Sequence, residues 1–72
     1  MSDFFNEMTE LERLATEYDS KFGIGKADEI IGSLMIAYST AQQIEIFTKA
    51  KDREIIVVPD EEALDAVTVT YK

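Results

Sequence analysis

Residues 44–58 read "IEIFTKAKDREIIVV", and the fold turns on whether the first five of them are helix or strand. "IEI" alternates apolar and polar side chains and the run is rich in β-branched and aromatic types, which points to a strand over 44–48. "KAKDR" (49–53) is then a charged hairpin tip leading back through "EIIVV" (54–58). The competing reading continues a helix from 26 to about 51. That helix would be about 39 Å long at 1.5 Å per residue, longer than the body of a chain this small. In its favour, Lys49, Lys51 and Arg53 would meet the negative end of the helix dipole, and "KAKDR" has no Gly or Asn for a tight turn. The strand is the expectation; a helix to about 51 with only a two-stranded hairpin is the alternative.

Downstream, "EIIVV" reads as strand under either scheme, closed by Pro59, which has no N–H to give a ladder. "AVTVTY" (66–71) alternates, placing Val67, Val69 and Tyr71 on one face and Thr68 and Thr70 on the other. Between them, "DEEALD" (60–65) fits one helical turn capped by Asp60, with Ala63 or Leu64 turned inwards.

Upstream, Phe4, Met8, Leu11, Ala15, Tyr18 and Phe22 recur at helical spacing and predict a helix over 3–22. Ser2 or Asp3 is suited to cap it and Gly23 to end it. Its opposite face carries Glu7, Glu10, Arg13 and Glu17. After "FGIGK", a second helix is predicted over 26–43, with Asp28 and Glu29 near its positive end. Ala27, Ile31, Leu34, Tyr38 and Ala41 form its stripe, and Ile30, Met35 and Ala37 widen it beyond one face. Gly32, inside this helix, suits close approach of another backbone. The predicted fold is α+β, one domain over 1–72, with two helices packed on an antiparallel sheet of 44–48, 54–58 and 66–71.

A chain of 72 residues hides only about 60% of the surface its unfolded form exposes. Such domains often recruit a disulfide, a metal or a second subunit, but there is no Cys and no His here. A zinc or haem site lacks its usual ligands, so a partner subunit is the remaining staple. A homodimer is expected, associating through Ile55, Ile56, Val57 and Val58, whose apolar side chains point to both sides of a small sheet. The net charge of −8 disfavours direct contact with nucleic acid or anionic membrane. "MSDFFNEMTE" has no basic start or apolar core of a signal peptide, so the cytoplasm is the expected location. Ile30 to Phe47 is long enough to span a membrane, but Ser33, Ser39, Thr40, Gln42 and Gln43 favour a buried central segment instead.

Little in the sequence carries chemistry. No His or Cys is present to activate a nucleophile, and Ser33 and Ser39 are expected to pack on a core helix. The carboxylate pairs Glu61/Asp65 and Glu10/Glu17 are expected to face solvent. "GIGK" has Ser20 and Ala27 where a phosphate-binding loop needs Gly and Ser or Thr, and "PDEEALD" lacks the alternating acids of a calcium loop. No catalytic residue, cofactor or metal ligand is therefore assigned.

The expectation is a non-catalytic acidic module that occupies a partner protein's surface as an inhibitor or accessory protein. Its size, acidity and lack of chemistry suit a phage or mobile-element origin. A second reading makes Glu7, Glu10, Glu17, Asp60, Glu61, Glu62 and Asp65 one acidic face that mimics a nucleic-acid backbone and blocks a basic enzyme. A third is a small structural subunit of a larger assembly. Lys49, Lys51 and Arg53 form a candidate basic tip for an acidic partner.

Overall fold

The structure, a computed structural model, describes residues 3–63 and 65–72, without the side chains of residues 3–5. The cap sought at Ser2 or Asp3, the side chain of Phe4 and the role of Leu64 lie outside what is described. Three helices, α1 (Asp3–Phe22), α2 (Lys26–Leu34) and α3 (Thr40–Ala50), precede a hairpin of β1 (Ile55–Pro59) and β2 (Val67–Tyr71). The small α+β class stands, but residues 44–48 are helical and the sheet has two strands. Two of the sheet segments expected at 54–58 and 66–71 are thus present, shifted by one residue at most ends.

The strand expected at 44–48 fails because alternation over three residues does not separate a strand from one turn of helix. In α3, Gln43, Phe47 and Ala50 are buried at four- and three-residue spacing, and Ile44 and Ile46 flank them half-buried. The alternative is right that 44–50 are helical and that the hairpin has two strands. Its overhang does not arise, because the helix predicted from 26 stops at Leu34 instead of running on to about 51, and the main expectation of a helix over 26–43 falls with it. Met35 to Ala37 form turns closed by Ala37 N–H and Tyr38 N–H donating to Leu34 O (3.0 and 2.8 Å). Ser39 then restarts the chain as a helix cap. Its hydroxyl accepts from Gln42 N–H (3.3 Å), and Gln42 Oε1 accepts from Ser39 N–H (2.9 Å). This reciprocal box satisfies two N–H groups that a helix start otherwise leaves free. Ser39 is therefore an exposed cap and Ser33 an exposed helix residue, and neither packs in the core as expected.

α1 buries Leu11, Ala15 and Tyr18 along the predicted stripe. It ends at Gly23, whose φ of +125° is open to glycine and strained for other residues. α2 starts at Gly25, which has no side chain to cap it; Asp19 of α1 does so from a distance, accepting from Gly25 N–H (3.3 Å) and Ala27 N–H (2.9 Å). α2 in turn buries Ala27 and Leu34, while Ala41 of the expected stripe is exposed. No atom lies within 4 Å of where a Cβ on Gly32 would stand, so the close backbone approach expected there is absent.

The hairpin pairs Ile55 with Tyr71, Val57 with Val69 and Pro59 with Val67. All of these but the exposed Pro59 supply the inward face: Ile55 is buried, and Val57, Val67, Val69 and Tyr71 pack against the core. Ile56, Val58, Thr68 and Thr70 take the other face. The connection at 60–63 carries bends rather than the expected helical turn. Asp60 Oδ1 accepts from Glu62 N–H (2.9 Å), and Asp60 N–H donates to Ala66 O (3.0 Å). That side-chain turn competes with a helical one.

"KAKDR" is the end of α3 and the turn into β1. With no glycine available, Lys51 takes φ 50°, ψ −109°, a conformation that glycine reaches without penalty and other residues do not. Replacing Lys51 by Gly removes that strain, worth about 1 kcal/mol net of the added flexibility of the unfolded chain. Urea unfolding is expected to show Lys51→Gly more stable than the native chain; a loss of stability would mean that the turn is relaxed as it stands.

Candidate functional site

The three sets of residues singled out in the sequence behave differently once folded. Arg13 lies between Glu10 and Glu17, bonded to both, with Nη1 to Glu17 Oε1 at 3.0 Å. First the hydrogen bond that Arg13 donates to Glu10 and then the charge of Glu10 push the Arg13 pKa further up. The helical part of the acidic face is thus partly neutralised by its own cation. Glu7 is half-buried; Asp60, Glu61, Glu62 and Asp65 are exposed in the β1–β2 connection. Among the described residues no hydrogen bond or ion pair joins the loop acids to those of α1, and no three carboxylates converge in a metal-binding group.

The basic tip is largely internal wiring. Arg53 donates from Nη2 to Tyr71 O (2.8 Å) and from Nε to Lys72 O (3.2 Å), and its guanidinium carbon sits 5.7 Å from the centre of the Tyr71 ring. Lys51 contributes its carbonyl, which accepts from Lys21 Nζ (3.1 Å). Lys21 also pairs with Asp52 at 2.9 Å, and that hydrogen bond and charge hold the Asp52 carboxyl below its usual value. Only the exposed ammonium groups of Lys49 and Lys51 remain of the tip. Of the four residues proposed for self-association, Ile55 is buried, Ile56 and Val57 are half-buried, and Val58 alone is exposed.

The feature the sequence did not reveal is a groove of about 570 Å³ lined by residues of α1, of α2 and the turn after it, and of α3. Leu11 and Ala15 of α1, Ile31 of α2 and the side chains of Met8 and Met35 make it apolar. Met8 and Met35 are 45% and 68% exposed, although Met8 belongs to the stripe of α1 and Met35 to the residues that widen the apolar surface of the predicted second helix. Glu12, Asp19 and Asp28 are its charged lining, all acids, and Thr16, Thr40 and Gln43 its neutral polar lining. Glu12 and Asp28 belong to none of the ion pairs among the described residues, whereas Asp19 is occupied in capping α2.

Gln43 stands out within the lining. It is only 3% exposed, its Nε2 donates to Tyr38 O over a long 3.4 Å, and its Oε1 has no hydrogen-bond partner. A buried acceptor left unpaired costs about 1–3 kcal/mol. The chain matches no protein-family model, no curated protein and no solved structure.

Gln43→Met keeps the length of the side chain and removes the unpaired oxygen together with the long bond to Tyr38 O. The unfolding free energy is expected to rise by about 1 kcal/mol, the larger of the two terms being the relieved acceptor. Measured by urea denaturation, a fall of that size would show instead that Oε1 is satisfied in the folded chain.

Proposed function

We propose that this chain is a non-catalytic protein-binding module that docks a partner through the groove between α1 and α2, as an accessory or inhibitory subunit. The observation that carries this reading is the pairing of two exposed methionines with an apolar floor. Met8 and Met35 flank Leu11, Ala15 and Ile31 in one depression, rather than lying scattered as single apolar residues do on ordinary surfaces. Methionine is unbranched and polarizable, and suits a surface that must adapt to a partner's side chains.

Two alternatives draw less support. Mimicry of a nucleic-acid backbone needs an uninterrupted array of negative charge, and Arg13 interrupts the face of α1. Self-association through the hairpin needs a broad apolar face, and the outer face offers one large exposed apolar side chain, Val58, opposite Thr68.

The test compares three forms of the full chain immobilised in an extract of the cells that produce it: native, Met35→Asp in the groove, and Val58→Asp on the outer hairpin face. Burying a methionine contributes about 1.5–3 kcal/mol, so its loss lowers affinity roughly tenfold or more. A protein retained by the native and Val58→Asp forms and lost with Met35→Asp is the expected result. Retention of the same proteins by all three, loss with Val58→Asp alone, or retention of nothing contradicts the reading.

A further inference from the structure

We propose that the occupant of the α1/α2 groove is a basic amphipathic helix of about three turns from a partner protein, its apolar stripe on Met8, Leu11, Ile31 and Met35 and its Lys or Arg side chains at Glu12 and Asp28. This rests on the groove being the docking surface and adds what fills it.

Length and shape come from the walls. The α1 side runs from Met8 to Asp19, about 16 Å at 1.5 Å per residue, which matches three turns of an occupant helix. Both walls are helices, and a third helix seats its side-chain ridges in the space between them at the usual axis separation of about 8–10 Å. Docking an amphipathic helix in an apolar groove uses anchors at helical spacing, which is the pattern Met8, Leu11 and Ala15 present from the opposite side.

Charge and hydrogen bonding select its chemistry. Every charged residue lining the groove is an acid, and Glu12 and Asp28, like most acids among the described residues, belong to no ion pair and are free to meet a partner's cations. Carboxylates need donors, and Lys and Arg side chains are donors with no acceptor. A second copy of the chain fits poorly: each copy carries −8, and α1, the longest helix on offer, brings Glu7, Glu10, Glu12 and Glu17 against Arg13 and Lys21.

The probes are three helix-stapled peptides of about three turns with the same leucine stripe, flanked by Lys, by Gln or by Glu, titrated into the full chain with ¹³C-labelled methionine methyls. The Lys peptide is expected to shift the Met8 and Met35 signals, to bind tighter than the other two, and to lose affinity as salt is raised. Glu12→Gln with Asp28→Asn removes two exposed ion pairs, a loss of about fivefold in affinity for the Lys peptide and none for the Gln peptide. Equal binding by the Gln or Glu peptide overturns the basic occupant and leaves the groove reading standing. The same methyl shifts from octylammonium alone would put a small apolar cation there and overturn the helix. No shift at Met8 or Met35 with any peptide overturns the inference outright, whereas the groove reading is decided separately by the Met35→Asp extract comparison.

Discussion

One phenol holds the fold together. Tyr18 is buried on α1, and its hydroxyl accepts a hydrogen bond from Ile55 N–H at 3.1 Å, the first amide of β1. Its ring packs at 4.5 Å from that of Phe22 and edge-on to Phe47 of α3 at 5.6 Å. A single side chain thereby joins α1, α3 and the hairpin, and satisfies a buried donor that would otherwise cost about 1–3 kcal/mol. Burial pushes the Tyr18 pKa up, with the Ile55 N–H acting the other way, so the hydroxyl stays neutral in its bond near neutral pH. Tyr71 of β2 donates to Ile46 O of α3 at 2.9 Å, so α1 and α3 are each tied to the hairpin by a tyrosine.

What this arrangement leaves open follows from size. A chain of 72 residues has apolar side chains for one thin core, in which Leu11 and Tyr18 of α1, Ala27 and Leu34 of α2, Phe47 of α3 and Ile55 of β1 meet. α2 is short, anchored at its start by Asp19 and buried through Ala27 and Leu34. Ala15 lines its seam with α1 together with Leu11 and Ile31. The groove is thus one part of the surface that the core is too small to cover, beside the exposed Ile24, Ile36 and Val58.

Much of this architecture was legible in the sequence, and the failures are specific. The stripe Leu11–Ala15–Tyr18, the stop at Gly23 and the two strands around Pro59 follow from periodicity and backbone chemistry that local sequence carries. The break between α2 and α3 carried a signal too: Ser39-Thr40-Ala41-Gln42 is a capping box, and reading it as one ends the long central helix and makes 44–48 helical. Arg53 was read as a projecting charge because its acceptors, the carbonyls of Tyr71 and Lys72, are distant in sequence. The groove was invisible for a related reason. Met8 sits on the stripe of α1 and Met35 widens the apolar surface of the predicted second helix, and only the tertiary packing decides that both line an open groove rather than the core.

The most direct test of the account is amide hydrogen exchange at Ile55, compared between the native chain and Tyr18→Phe. If the Tyr18 hydroxyl holds β1 to α1, the Ile55 amide is among the slowest to exchange and quickens by roughly tenfold or more in Tyr18→Phe, the scale of a lost buried bond of about 1.4 kcal/mol. An Ile55 amide that exchanges as fast as those of the exposed 60–63 turn, or is unchanged by the substitution, would contradict it.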